Sequence, residues 1–135
     1  MKKWIFAALA LALFTGLIIG LYMYNKPLES MTGQQAEQTV SAADLYQSFD
    51  TDETAANGKY LGKVIEVSGT IESVSTGDDG ATNILLNAGD AMGGVICRLD
   101  ATVNETFQEG SQVTLRGECT GKLMDVELAR CVPVQ

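Results

Sequence analysis

The chain has 135 residues, of which 46% are hydrophobic, nine are basic and seventeen are acidic, and it has no histidine. This length suits one domain with an appendage. The lack of histidine removes the commonest general base and a common metal ligand, and a formal net charge of −8 disfavours nucleic acid, because phosphate binding relies on clustered lysine and arginine.

The first predicted element is an apolar segment over residues 4–24, WIFAALALALFTGLIIGLYMY. A helix of these 21 uncharged residues is about 30 Å long, which matches the hydrocarbon core of a bilayer. Residues 1–24 are therefore predicted to be an uncleaved membrane anchor. A cleavable signal sequence is the alternative, but its apolar run is shorter and ends in small residues, whereas this run ends in YMYNKP.

Charge on the two sides of the apolar segment predicts its orientation. Lys2 and Lys3 precede it, which favours a cytoplasmic N-terminus in a single-pass inner-membrane protein, with the C-terminal domain in the periplasm or extracytoplasmic space. From Pro27 onward the chain has six basic residues and all seventeen acidic ones, a net charge of −11. The expected exported part would repel nucleic acid and anionic lipid headgroups.

Residues 25–40, NKPLESMTGQQAEQTV, are polar and have no apolar period, which predicts a flexible linker. The folded domain is then expected to span residues 41–135.

A single helix is predicted at the start of this domain, over residues 42–57. Ser41 lies three residues before Asp44, the spacing of a capping box. The apolar side chains of Leu45, Phe49 and Ala56 share one helix face. The dipeptide at 57–58, Asn-Gly, suits the helix end.

From Lys63 the apolar period changes from that of a helix to that of a β-strand. Five strands are predicted, in KVIEVSGTIESV, TNILLNA, VICRL, SQVTLRGEC and DVELARCVPV. Gly69 and the parity change at Val74 indicate a bulge in the first of them, and Gly117 indicates a bend in the fourth. The connection over residues 100–110 is expected to hold one helical turn.

This pattern predicts an all-β domain with one N-terminal helix. Five strands, the first long and bent, with a connection after the third, are typical of an OB-fold barrel, and a five-stranded sandwich is the alternative. The segments YNKP, FDTDETAANGKYLGKVIEVSGTI, GGVIC and GECTG…DVELARC together resemble the tRNA-anti-like OB-fold family of small bacterial envelope proteins. The resemblance leaves residues 28–40 unmatched; it implies an OB fold behind a short anchor or signal, and it implies no catalytic residue.

The three cysteines predict a disulfide. Cys97, Cys119 and Cys131 are 22 and 12 residues apart in a chain without histidine, which suits neither a zinc site nor an activated nucleophile. An oxidising compartment favours a bridge. Strands three and five of an OB barrel run parallel, so Cys97–Cys131 is the preferred pair, and Cys119–Cys131 is the alternative if the intervening loop is loose.

The remaining polar residues favour a binding module over an enzyme. OB folds bind ligands across strands two and three and the adjoining loops, here residues 78–87, 95–98 and 120–124. No catalytic residue, cofactor or metal is predicted. The tentative ligand face comprises Arg98, Lys122, Asn83, Asp78 and Asp79.

The preferred hypothesis is a membrane-anchored extracytoplasmic module that binds an envelope protein, a glycan or a small molecule. An oligonucleotide-binding protein is the alternative, although the charge disfavours it. A hydrolase that uses the turn carboxylates, Asp90 and Asp125 among them, is a remote alternative.

Overall fold

The structure, a computed structural model, describes residues 1–26 and 31–134. Its first helix, α1, is Lys2–Asn25; it buries no residue and is long and apolar enough to cross a membrane. A 3₁₀ turn follows at Met31–Gly33. The remaining elements are β1 Gln38–Ser41, α2 Ala42–Thr51, α3 Glu53–Tyr60, β2 Val64–Thr76, β3 Thr82–Leu86, β4 Val95–Leu99, β5 Gln112–Lys122 and β6 Val126–Pro133.

Strands β2 to β6 form the closed five-stranded barrel that the sequence predicts. They follow the order β2-β3-β4-β6-β5, and β5 pairs with residues 64–70 of β2 to close the sheet. β4 and β6 are parallel, as predicted, and the other barrel pairs are antiparallel. Inward side chains fill the interior, among them the fully buried Ile65, Val67, Ile84, Val95, Leu115 and Val126.

A bulge lies in β2 between Ile71 and Ser73, where the change in alternation predicts one. It follows Gly69, where an added Cβ would lie 3.0 Å from the Cβ of Ala42 in α2. The glycine therefore lets the start of α2 pack closely on β2.

A second bulge lies where β5 and β6 pair, at the bend predicted at Gly117. Two residues of β6, Arg130 and Cys131, lie opposite Gly117 alone. Arg130 has a φ of 54°, in the left-handed region that a bulge residue can adopt. As a result Leu128 and Cys131, three positions apart, are both buried.

The prediction of one helix over residues 42–57 is wrong, because the chain forms two helices that break at Asp52. Ser41 caps α2 as expected, its Oγ accepting from the Asp44 N–H at 3.1 Å. Asp52 then leaves the helical conformation with a φ of −153°, and its carboxylate accepts from the Ala55 N–H at 3.1 Å, which starts α3. The Asn-Gly pair does not end the helix, since α3 continues to Tyr60.

The helical turn expected within residues 100–110 does not form either. The Asp100 carboxylate accepts from both the backbone N–H and the hydroxyl of Thr102, which makes a tight turn instead of a helix. Phe107, farther along this connection, packs against the core.

Part of the range predicted as a flexible linker is packed against the barrel. Met31 is fully buried, and the Gln34 carbonyl accepts from Arg116 Nη1 at 2.8 Å. β1 pairs in parallel with β2, starting with Gln38 opposite Ile65. The polar composition of this range does not reveal that it is ordered, because its order depends on backbone pairing and on one buried methionine. Residues 27–30 lie outside the described residues, and the division of the chain into domains stays a prediction.

Candidate ligand-binding groove

A groove of about 780 Å³ crosses the outer surface of the barrel at the end of β4 and the middle of β6. The β2–β3 turn, the end of β4 with its following connection, and the bulge of β6 form its walls. Its polar and charged lining residues are Asp79, Thr82, Arg98, Asp100, Asn104 and Arg130. A smaller hollow of about 310 Å³ continues from it at Arg98 and Ala129.

Arg98 and Asp79 form an ion pair at the mouth of the groove. Their side chains are 57% and 48% exposed, so water competes for both groups. Asp79 also accepts from the Ala81 N–H at 3.2 Å, which fixes its place in the β2–β3 turn. An exposed pair of this kind contributes at most about 1 kcal/mol, so a ligand can separate it at low cost.

The β6 bulge places a second cation, Arg130, in the wall of the groove. Its guanidinium pairs with Glu118 of β5. Asp100 lies on the same wall, and hydrogen bonds from Thr102 hold the pKa of its carboxyl below the usual value, with Arg130 adding to the effect and burial opposing it. The groove thus presents two guanidinium groups and two carboxylates.

The tentative ligand face is only partly brought together. Asn83 pairs with Arg98 across β3 and β4, and Asp79 contacts Arg98. Asp78 is exposed in the same turn as Asp79. Lys122 lies elsewhere, because its Nζ is 3.1 Å from Asp50 and 4.4 Å from the ring centre of Tyr46.

Sequence reasoning missed Arg130, Asp100 and Asn104. Strict alternation along β6 would point Arg130 inward with Leu128, and only the bulge moves it to the surface. A charged residue at an inward position of the predicted strand, here Arg130, is the sequence feature that could have indicated such a bulge.

The aromatic side chains of the described domain, residues 31–134, belong to its core. Tyr46, Phe49 and Tyr60 are buried, and Phe107 packs against them from a partly buried position. The groove therefore has no ring on which a nucleic-acid base could stack.

A second cleft, of about 630 Å³, lies between β1 and the two short helices. Its cation, Lys59, lies over Tyr60 with Nζ 5.1 Å from the ring centre, and Gln38 donates to the Lys59 carbonyl at 3.1 Å. The hydrogen bond from Gln38 ties β1 to α3. The strand face is the better candidate because OB folds bind ligands there.

The three cysteines are free thiols in the structure, and all are fully buried. The neighbouring Cys97 thiol and burial raise the pKa of Cys131 well above the usual value. Burial also raises the pKa of Cys119, which lies on β5 opposite Leu128. The two cysteines of the preferred pair thus lie buried on neighbouring strands but are not bonded.

The turn carboxylates proposed for hydrolysis do not gather in one place. Asp90 accepts from the Met92 N–H at 2.7 Å, and Asp125 accepts from the Gly94 N–H at 2.8 Å, while Asp79 lies at the groove. In the described parts of the chain, no three Cys, Asp or Glu side chains are grouped to hold a metal ion.

The closed barrel of β2 to β6 defines an OB-fold protein. The chain belongs to the tRNA_anti-like family, whose profile matches residues 1–132. No curated protein matches the sequence.

One solved structure with this fold is a lipoprotein from Klebsiella pneumoniae subsp. pneumoniae MGH 78578, to which nucleic-acid binding is provisionally attributed. It is 18% identical to this chain, the similarity covers 76% of this chain and 100% of the lipoprotein chain, and the TM-score is 0.60. At that identity the similarity shows the fold.

Proposed function

We propose that this protein is a membrane-anchored, extracytoplasmic binding module whose groove holds a polar ligand through a carboxylate. An envelope polypeptide, an acidic glycan or a small molecule could supply that group. The observation that carries the proposal is the exposed Arg98–Asp79 pair in a groove shared with Arg130 and Asp100. A ligand carboxylate can replace Asp79 on Arg98, because planar bidentate pairing with guanidinium is stronger than an exposed contact.

The test uses the full-length protein in phosphatidylcholine nanodiscs and two carboxylate probes, N-acetylglutamate and muramyl dipeptide. We expect binding beyond that of protein-free nanodiscs, and about tenfold weaker binding for Arg98→Ala, the loss expected from one charge-assisted contact of about 1.5 kcal/mol. Lys63→Ala removes the same charge from the residue that precedes β2, and it serves as the matched control. Failure of both probes to bind contradicts the carboxylate proposal. Equal binding by the Arg98→Ala and wild-type proteins contradicts it as well.

Oligonucleotide binding is the second candidate, and the description of the Klebsiella lipoprotein favours it. The net charge of −11 beyond Pro27 and the burial of the aromatic rings oppose it. A titration with a 12-nucleotide single strand at low salt separates the two candidates. Micromolar binding that weakens steeply with salt would favour the oligonucleotide, whereas we expect none.

Lys2 and Lys3 ahead of the apolar α1 support the proposed extracytoplasmic placement. A C-terminal fusion to alkaline phosphatase, which is active only after export, is expected to be active. A parallel fusion to a fluorescent protein that matures only in the cytoplasm is expected to be dark. The opposite pattern contradicts the placement, and release of a shortened protein from the membrane would indicate a cleaved signal sequence.

In that compartment Cys97 and Cys131 form a disulfide during folding. Both side chains are buried on the paired strands β4 and β6, where Cys131 lies opposite Leu99, two residues from Cys97. By thiol–disulfide exchange the two thiols lose two protons and two electrons to a donor disulfide, which becomes a dithiol. In the loop-entropy description such a bridge contributes about 3–4 kcal/mol to stability.

Alkylation of the membrane-extracted, denatured protein tests the pairing. Before reduction we expect a single alkyl group, on Cys119, and after reduction three. Cys119→Ser is the matched control, with none before reduction and two after. Three alkyl groups on the unreduced wild-type protein, or one on Cys97, contradict the pairing.

A further inference from the structure

The exposed large apolar side chains of residues 31–134 lie together at one end of the barrel, beside the β5–β6 hairpin. These four residues, which we call the end patch, are Leu61, Met92, Leu123 and Met124. Leu123 is 83% exposed, Met92 80% and Met124 77%. Exposed apolar groups scattered singly are normal on a protein surface, but a cluster with no other such side chains around the domain indicates a contact surface.

Three chain segments meet to form the end patch. Leu61 follows α3 and reaches the β5–β6 hairpin, where a Cβ at Gly121 would be 3.6 Å from its Cδ1. On the other side, the β3–β4 loop is fastened to the hairpin, since Val126 N–H donates to the Gly94 carbonyl at 3.0 Å. A Cβ at Gly93 would be 2.8 Å from the Met124 carbonyl, so the loop that carries Met92 lies directly against the hairpin.

Carboxylates surround the end patch. Glu53 and Glu127 line the same hollow as Leu61 and Leu123. Asp90 and Asp125 are in the two turns that carry Met92 and Met124. The positive charge of Lys122 is held by Asp50 and the Tyr46 ring, and its side chain is only 14% exposed. The surface is therefore apolar at its centre and negative at its edge.

We propose that the end patch docks a basic amphipathic segment of another envelope protein. Apolar side chains of such a segment would cover the centre, and its lysines or arginines would meet the surrounding carboxylates. A second copy of this chain would bring one acidic edge against another, and an anionic membrane surface would be repelled for the same reason.

The position of the end patch relative to the anchor also favours a protein partner. Gln34 is fixed to Arg116, and Leu123 lies seven residues farther along the β5 hairpin, about 23 Å at 3.3 Å per residue. Only five peptide steps join Lys26 to the buried Met31, a reach of about 18 Å at most. The chain thus enters the barrel at a distance from Leu123, which leaves this part of the end patch open to a partner.

The test uses full-length protein in phosphatidylcholine nanodiscs and a labelled 18-residue helical peptide of leucine and lysine as the probe. The companion peptide has glutamate in place of every lysine. We expect the lysine peptide, and not the glutamate peptide, to bind above the level measured with protein-free nanodiscs. Leu123→Ser with Met124→Ser should weaken this binding at least about tenfold, since each apolar side chain contributes on the order of 1 kcal/mol when covered.

Charge variants give the matched comparison. Glu53→Gln with Glu127→Gln should weaken binding and flatten its salt dependence, whereas Glu72→Gln with Glu105→Gln, exposed carboxylates elsewhere, should change neither. Melting curves confirm that each variant is folded. Equal binding of the two peptides, binding no greater than that of protein-free nanodiscs, or no effect of the patch variants overturns the proposal.

Two other occupants give distinct results. Concentration-dependent dimers that disappear in the Leu123→Ser, Met124→Ser protein would indicate a second copy. A blue-shifted emission from Leu123→Trp, in a Trp4→Phe background without peptide, would indicate lipid. Either result overturns docking of a basic segment, and we expect neither.

Discussion

Gly117 is the residue whose replacement should most clearly disturb the barrel. A Cβ there would lie 2.6 Å from the Cys131 sulfur and 3.0 Å from the Ala129 carbonyl oxygen. Both atoms belong to the bulged part of β6, which has little room to move because Cys131 is fully buried. We expect Gly117→Ala to lower the free energy of unfolding by about 1–3 kcal/mol, measured by urea denaturation.

Gly58→Ala is the control for this change, since no atom lies within 4 Å of the Cβ position and the residue is inside α3. Alanine is favoured there by about 0.5–1 kcal/mol, so this variant should be unchanged or more stable. Combining Gly117→Ala with Cys131→Ala should cost less than the sum of the two single changes, because the alanine methyl no longer meets sulfur. Simple additivity would contradict the proposed clash.

The buried thiols predict a loss of stability at alkaline pH. The neighbouring Cys97 thiol and burial raise the pKa of Cys131, and burial raises that of Cys119. In the unfolded chain thiols ionise near pH 8.5, so the reduced protein keeps its full stability below about pH 8.5 and loses it as pH rises toward the folded-state pKa values, by up to about 1.4 kcal/mol per pH unit and thiol.

Urea unfolding at pH 7.5 and 9.5, with and without reductant, measures this loss. The reduced protein should show the larger loss, because a Cys97–Cys131 disulfide leaves only Cys119 to titrate. Cys131→Ser should reduce the loss in the presence of reductant. An equal loss with and without reductant would count against the disulfide.

At the scale of elements, Asp52 divides the helical region and should contribute to stability as a cap. Its carboxylate accepts from the Ala55 N–H, and its own N–H donates to the Ser48 carbonyl. We expect Asp52→Ala to lower the free energy of unfolding by about 1 kcal/mol and Asp52→Asn to retain most of it, because asparagine also caps helices. Thermal unfolding followed by circular dichroism measures both, with Glu53→Gln as the charge control. If Asp52→Ala has the stability of the wild type, packing of Phe49 and Tyr60 alone determines where the helix breaks.

The elements that the sequence predicts well are those with a strong period. Alternation over Ile65, Val67 and Ile71 locates β2, and its failure at Val74 locates the bulge. The helix break was missed because Asp52 suits both an exposed helix position and an N-cap, and a local hydrogen bond decides between them. β1 was missed because four residues carry too little pattern to stand out in a polar segment.

The groove was predictable only where it depends on regular pairing. Asn83 and Arg98 lie opposite each other on adjacent strands, so the OB topology alone brings them together. Arg130 depends on the bulge and Asp100 on a turn, and neither follows from alternation. The position of Lys122 at the end of β5 predicts that it lies on the ligand face. Its ammonium group instead contacts Asp50 and Tyr46 of α2.

At the scale of the whole molecule, the folded unit should begin well before residue 41. Met31 is fully buried, Gln34 accepts from Arg116, and β1 extends the sheet beside β2. A fragment of residues 41–135, the predicted domain, loses these contributions and keeps the Ser41 cap of α2. The methionine alone is worth about 2–5 kcal/mol when removed from a core, a large share of the 5–15 kcal/mol expected for a domain.

We therefore expect a fragment of residues 27–135 to unfold cooperatively at a higher urea concentration than the 41–135 fragment. Met31→Ser in the longer fragment should reproduce much of the difference, because it removes the buried side chain and leaves β1 in place. Thr39→Ser, a conservative change in β1 itself, is the control and should have little effect. Equal urea midpoints for the two fragments would mean that residues 31–40 add no net stability, and the boundary at residue 41 expected from composition would then be the right one.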